Sequence, residues 1–170
     1  MESCRLAHRH GPEQADRPGG PRVKGRVLGF DFGHKRIGTA SGNRATGTTA
    51  PLETVAATRQ GPDWPRLVGL VHAWRADELV VGLPLHMDGS ESHLSREARR
   101  FGDELASRTG LPVALVDERL SSSEADDVLT LGSPPGKSRH RRRLAHRDSI
   151  AAELIVRTYL ADNPAPTCNR

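Results

Sequence analysis

Four carboxylates stand where an apolar stretch of this sequence ends or a helical pattern begins: Asp31, Asp117, Glu118 and Asp148. Asp31 closes the run Gly25-Arg-Val-Leu-Gly-Phe-Asp, where strand alternation sets it on one face with Val27 and Gly29 while Leu28, Phe30 and Phe32 take the other. An ionised carboxylate at the edge of such a core is costly unless it is paired, protonated or given a metal ion. Asp117 and Glu118 end a later apolar run, and alternation sends them to opposite faces, so at most one of them shares Asp31's side. The residues alone do not choose between them. Asp148 precedes Ala151 by three positions and Ile155 by seven, which sets it on the inward side of a final helix expected to begin near Asp148 itself. Each acid also has a plainer reading, Asp31 as the cap of a turn and Asp148 as a charge that suits a helix N-terminus.

If an acid from each of the three places converged, the carboxylates would repel one another, and the arrangement makes more sense as a metal site than as a structural one. Hard divalent cations take oxygen ligands, and Mg²⁺ keeps waters while bridging carboxylates and substrate phosphate. Two such ions about 4 Å apart activate a water on one side of a phosphodiester and stabilise the leaving oxygen on the other.

The elements that must position these acids are legible in outline. Gly33 and Gly38 bracket a tight basic turn holding His34, Lys35 and Arg36, after which residues 37–42 return as the second strand of a hairpin. Residues 47–55 offer a third short strand with Pro51 at a bend or an edge, completing a three-stranded antiparallel start. Trp64, Leu67, Val68, Val71 and Trp74 recur at helical spacing, and both tryptophans read as core packing. Residues 76–84 form a continuous apolar strand stopped by Gly-Leu-Pro, followed by a polar loop at 85–92 and a helix through Leu94, Ala98, Phe101 and Leu105 that ends near Gly110. Residues 111–120 are a fifth strand, and Ser121-Ser-Ser-Glu124 is a capping box opening a helix through Ala125, Val128 and Leu129. Gly132-Ser-Pro-Pro-Gly followed by Lys-Ser-Arg-His-Arg-Arg-Arg reads as a mobile loop ending in a dense positive patch. The last helix carries an apolar stripe of Ala151, Leu154, Ile155 and Tyr159. This order predicts an α/β domain with a mixed five-stranded central sheet flanked by helices, and the acids meet if the first and fifth strands neighbour one another under the last helix.

At 170 residues the chain suits one domain with tails. Residues 1–24 are rich in Arg, His, Pro and Gly and cannot repay the entropy of ordering, so they read as a disordered basic tail in which His8 and His10 are incidental. Residues 25–161 form the domain and 162–170 a flexible C-terminal tail. Cationic residues exceed anionic ones by 25 to 21, and a pI near 9.7 favours a polyanionic partner such as nucleic acid. Cys4 and Cys168 lie at opposite ends, which makes neither a disulfide framework nor a C-x-x-C metal site and fits a reducing cytoplasm. No spanning helix or secretory signal is present in the sequence, so no membrane partner is expected.

Four stretches in order, Asp31-Phe-Gly-His-Lys-Arg-Ile-Gly, Val81-Gly-Leu-Pro-Leu-His-Met-Asp-Gly89, Asp117-Glu-Arg-Leu-Ser121 and Asp148-Ser-Ile-Ala-Ala152, resemble the YqgF/RuvC-like family of Holliday-junction resolvases, also called the pre-16S rRNA nucleases. The resemblance covers about residues 25–161. It implies a ribonuclease-H-like fold, a cytoplasmic location and a Mg²⁺- or Mn²⁺-dependent endonuclease that processes the 5′ end of pre-16S rRNA in ribosome biogenesis or cuts branched DNA. Its partners would be nucleic acid and ribosomal precursor particles, the chain acting as monomer or homodimer. Carried over position by position, it selects Asp31, Glu118 and Asp148 as the catalytic, metal-binding acids, which settles the choice at 117 and 118. Lys35, Arg36, Arg119, Lys137, Arg139, Arg141, Arg142, Arg143 and Arg147 are the cations expected to grip nucleic acid. The chain departs from the family's pattern at His34, where a small hydroxyl residue is common. It departs again at His146 and Arg147, where a lysine often precedes the last aspartate.

Two other classes compete. A phosphotransferase of the kinase or actin type also uses an Asp-x-Gly turn but needs a second domain to close over the nucleotide, for which this chain has no room. A non-catalytic nucleic-acid-binding module would use the acids as structural ion pairs, and metal-dependent cleavage separates it from the nuclease.

Overall fold

The computed structural model describes residues 25–58, 60–118 and 137–164, the stretch 137–145 as backbone only. The expected tail at 1–24, the last residues of the C-terminal tail, Arg119, the capping box at Ser121 with its helix, and the Gly-Ser-Pro-Pro-Gly segment lie outside these residues.

Strand β1 (Arg26–Phe32) turns through Gly33 into β2 (Arg36–Asn43), and β2 turns into β3 (Thr48–Thr58), all antiparallel as expected. A two-residue strand β4 (Gly61–Pro62) extends this ribbon by one rung, so the sheet has six strands rather than five. Helix α1 (Trp64–Ala73) is started by Asp63, whose side chain accepts from Arg66 N, with Pro65 in its first turn where the missing N–H costs nothing. Strand β5 (Glu78–Leu83) then lies parallel to β1. Helix α2 (His93–Thr109) opens on a capping box between Ser92 and Ser95 and closes on Gly110 at φ 69°. Strand β6 (Val113–Asp117) runs parallel to β5, and α3 (Lys137–Asp162) closes the domain.

The sheet order is β4-β3-β2-β1-β5-β6. The fifth strand of the sequence reading, β6, is therefore not β1's neighbour, because β5 lies between them. The apolar run of β5 is that of a strand covered on both faces, and β5 takes the place between β1 and β6. One face of the sheet presents Leu28, Phe30, Ile37, Leu79 and Val81 to α1 and α2, where Leu67, Leu70, Ala98, Phe101 and Leu105 complete the larger core. Trp64 stacks on Phe101 with ring centroids 5.4 Å apart, which accounts for that tryptophan as packing. The other face presents Val27, Ala40 and Val80 to α3. The result is a three-layer α/β/α domain, a mixed sheet flanked by helices as expected.

Two expectations about α3 are corrected. The basic run from Lys137 to Arg143 is helical, not a loop, and the helix starts eleven residues before Asp148. Lys and Arg are good helix formers, and no glycine or proline follows Gly136 until Pro164, so the helix is free to extend back to the Pro-Pro-Gly stop. The apolar stripe is also rotated. Ala152, Ile155, Val156, Tyr159 and Leu160 are buried, whereas Ala151 and Leu154 are only half-buried. The sheet beneath is lined by glycines, and the helix turns its branched Val156 into that trough.

Candidate active site

Register decides which acids meet. Phe30 of β1 pairs with Val81 of β5, and Val81 with Leu115 of β6, so Asp31, Gly82 and Val116 form one row across three parallel strands. Two residues beyond Val116 on the same face stands Glu118, while Asp117, paired beside Leu83, belongs to the opposite face. The geometry therefore places Glu118 on Asp31's side. Both lie at the carboxyl ends of parallel strands, where α/β sheets leave room for ligands.

The centre of the row is empty of side chain. A Cβ at Gly82 would overlap Glu118 Oε1 and stand 2.5 Å from Ile155 Cδ1. Glycine here lets the Glu118 carboxylate lie over β5 toward Asp31. A second glycine admits the third acid. Gly38 of β2 pairs with Asp31, and a Cβ there would fall on the carbonyl oxygen of Asp148, so α3 rests its backbone directly on the sheet beside Asp31. Thr54, paired with Gly38 from β3, joins its hydroxyl to that of buried Ser149 at 3.1 Å, and Thr49 donates to Glu153 at 2.8 Å. These two hydrogen bonds set the register of α3 on the sheet and hence the height of Asp148.

Crowding the three acids has an electrostatic signature. Burial, and then the charge of Asp148, raise the Asp31 pKa from 3.8 to about 6. Burial, then Asp31 and Asp117, raise that of Glu118 from 4.5 to about 7. Arg36 answers part of the charge, its Nε donating to Asp148 Oδ2 at 2.7 Å. Among the described residues, no three acidic, histidine or cysteine side chains are gathered as the ligands of one ion.

A pH dependence follows from the direction of these shifts. Both acids hold protons more tightly folded than unfolded, so between about pH 4 and pH 7 the folded chain binds more protons and loses stability as pH rises. Each pKa unit is worth about 1.4 kcal/mol, so in metal-free buffer the melting temperature should fall from pH 5 to pH 8. Thermal melts of wild type and Asp31→Asn in chelator measure this, and an identical decline in both would detach the effect from Asp31.

The expected nucleic-acid contacts are placed unevenly. Lys35 is exposed at the tip of the hairpin, Arg147 is exposed one residue before Asp148, and Arg36 is turned onto Asp148. Lys137, Arg139, Arg141, Arg142 and Arg143 belong to the first turns of α3. His34 has company that the sequence did not suggest. Its Nδ1 stands 3.5 Å from Glu97 Oε2, and His93 Nδ1 stands 3.3 Å from the same oxygen, joining the hairpin tip to the start of α2.

A model of the RuvX family, described as Holliday junction resolvase, matches residues 25–162. The chain belongs to this family. Among curated relatives, a protein of Nitrosococcus oceani with the provisional name pre-16S rRNA nuclease is 44% identical over 148 residues, covering 87% of this chain and 92% of that one. A relative of the same name from Azotobacter vinelandii is 44% identical over 147 residues, covering 86% and 98%. Among solved structures, T. thermophilus RuvC in complex with Holliday junction substrate aligns with a TM-score of 0.46 at 17% identity, covering 81% of this chain and 96% of that chain.

Within this RuvX-family domain, the residues that sequence reasoning passed over are those that make room or set height: Gly82, Thr54, Ser149, Thr49 and Glu153. Gly82 stood inside the Gly-Leu-Pro stretch already singled out, yet its purpose appears only once β5 is known to run between Asp31 and Glu118.

Proposed function

We propose that this chain is a divalent-metal-dependent endonuclease that hydrolyses nucleic-acid phosphodiesters, with the 5′ end of pre-16S rRNA as its substrate. One observation carries the chemistry: Asp31 of β1 feels the charge of Asp148 of α3, and Glu118 just past β6 feels that of Asp31, so that burial and neighbouring acids raise the pKa values of both Asp31 and Glu118. The donor set is all carboxylate oxygen, which suits Mg²⁺ or Mn²⁺, and the bare backbone at Gly82 lets Glu118 lie toward Asp31, where the carboxylates could hold such an ion between them. Bound there, the ion would supply an activated water and charge neutralisation at the leaving oxygen. The chain's own part is to hold three carboxylates at fixed height and to present Lys35, Arg147 and the basic start of α3 to the backbone. The names of the curated relatives favour the rRNA substrate. The description of the family model favours a second reading, resolution of branched DNA. Purified protein with Mg²⁺ or Mn²⁺, offered a pre-rRNA 5′ leader and a four-way junction side by side, tests both. Cleavage of neither would leave a non-catalytic binding module. A cytoplasmic location and a domain spanning 25–161 go with this proposal.

Millimolar Mg²⁺ or Mn²⁺ should raise the melting temperature of the wild type and not of Asp31→Asn. An ion that binds only the folded chain stabilises it by about 0.4 kcal/mol when its concentration equals Kd, and more above that. Equal shifts in both proteins would move the ion to another site.

The basic start of α3 should grip phosphate. Arg143 precedes Asp148 by five residues, about 7.5 Å along a helix, so cations stand ready to draw a polyanion toward an acidic site that would otherwise repel it. If Arg141, Arg142 and Arg143 each neutralise one phosphate, replacing all three by Ala flattens the slope of log K against log salt by about 2 for single strands and about 3 for duplex. Filter binding across a salt series reads this directly, and an unaltered slope would return the run to solvated surface.

A further inference from the structure

Arg36 was expected to touch nucleic acid, but its guanidinium is spent on Asp148. The Nε to Oδ2 distance of 2.7 Å is that of a charge-assisted hydrogen bond, and the pair is partly screened from water, with side-chain exposures of 32% and 23%. The backbone around Arg36 is pinned. Arg36 pairs with Ala56 of β3, and the carbonyl of Lys35 accepts from Ala57 N at 3.0 Å. Only the side chain is therefore free to move. The carboxylate it holds is also one that the proposed ion needs. Arg36 holds Oδ2, and an ion on either oxygen of the same small carboxylate would stand within a few ångström of the guanidinium, where the two cations repel one another strongly. An incoming ion and Arg36 are thus competitors for Asp148. Lys35, next to Arg36 on the same hairpin, is exposed, so a displaced guanidinium would join a second cation there.

We propose that Arg36 is the counter-ion of the ion-free acid cluster, that a divalent cation displaces it from Asp148, and that the released guanidinium takes up a substrate phosphate. Ion binding and nucleic-acid binding are then positively coupled through one side chain. The inference rests on the metal-dependent nuclease reading and adds to it a switch that holds the empty site away from substrate. Coupling of this kind is reciprocal, so the factor by which the ion tightens nucleic acid equals the factor by which nucleic acid tightens the ion.

The test needs no turnover. Mn²⁺ binding to the full chain, followed by electron paramagnetic resonance, should be about tenfold tighter in Arg36→Gln than in wild type, because no resident cation has to leave. Wild-type or weaker Mn²⁺ affinity in Arg36→Gln overturns the proposal. In the second arm, fluorescence anisotropy of a labelled single-stranded RNA is measured with and without Ca²⁺. Ca²⁺ should tighten binding to wild type several-fold more than binding to Arg36→Gln, and equal tightening in both also overturns it. Should Arg36→Gln fail to fold, Arg36→Lys serves, since an ammonium lacks the planar fork; Mn²⁺ affinity a few-fold above wild type with reduced Ca²⁺ coupling is expected, and wild-type values on both readouts refute the exchange. If wild type binds no Mn²⁺ at all, the metal-nuclease reading itself falls. If wild type binds Mn²⁺ and cleaves while Arg36→Gln behaves identically, that reading stands and this inference alone is lost.

Discussion

Asp31→Asn, Glu118→Gln and Asp148→Asn should each lower cleavage by about a thousandfold or more, with substrate affinity falling far less. A bound ion contributes several kcal/mol of transition-state charge stabilisation, and at about 1.4 kcal/mol per factor of ten the loss of a ligand reaches that size. Stability should separate the three. Asp31→Asn and Glu118→Gln remove a carboxylate whose ionisation is opposed by burial and by neighbouring acids, so both variants should melt above wild type at pH 8 without metal. Asp148→Asn relieves Asp31 but strands the guanidinium of Arg36, and its melting temperature should gain less or fall. Single-turnover cleavage and thermal melts on the same preparations check both halves. A variant that cuts at the wild-type rate takes that residue out of the site, and two such variants would leave no case for this chemistry.

The faces of single elements were legible in the sequence, and the distances between elements were not. Asp31 declares its side because period-two alternation runs unbroken from Val27 to Phe32, and the structure keeps Val27, Gly29 and Asp31 toward α3. Asp117 and Glu118 could not be separated by alternation, because choosing between adjacent residues requires the register of β6 against β5, a long-range pairing absent from local pattern. The start of α3 was misread for a different reason. A dense positive run looks like solvated loop when judged by charge, whereas Lys and Arg have high helix propensity and no breaker interrupts them after Gly136. The same misreading set Asp148 in a first helical turn; with α3 starting at Lys137 it lies eleven residues inside, and its charge serves no helix terminus. Arg36 shows the remaining limit. Its type suits phosphate and carboxylate equally, and only the approach of α3 over Gly38 decides which one it meets.

Gly38→Ala should be the most damaging small substitution in the domain. Most glycine-to-alanine changes in extended backbone are mild, because Ala adopts the same dihedrals and loses less entropy on folding. Here the added methyl would land on the carbonyl oxygen of Asp148, which belongs to the helix backbone and has no rotamer to retreat into. Either β2 bends away or α3 lifts, and α3 carries Ala152, Ile155, Val156, Tyr159 and Leu160 in the smaller of the two cores. Overpacking of this kind costs about 1 to 3 kcal/mol, a fall of roughly 3 to 10 °C in melting temperature for a domain of this size. The functional loss should exceed what stability explains, since a displacement of about 1 Å at a reacting group costs about a hundredfold in rate. Asp148 rides on the part of the helix that must move, whereas Asp31 and Glu118 stay with their strands. Gly69 in α1 supplies the control. It is exposed, a Cβ there meets nothing within 4 Å, and in a helix interior Ala is favoured over Gly by about 1 kcal/mol. Gly69→Ala should therefore melt higher than wild type and cut at the same rate. Melting curves and single-turnover rates for the pair decide the matter: a Gly38→Ala protein with wild-type stability and rate would show that α3 does not rest on the sheet at Asp148, and the convergence of the three acids would lose its physical basis.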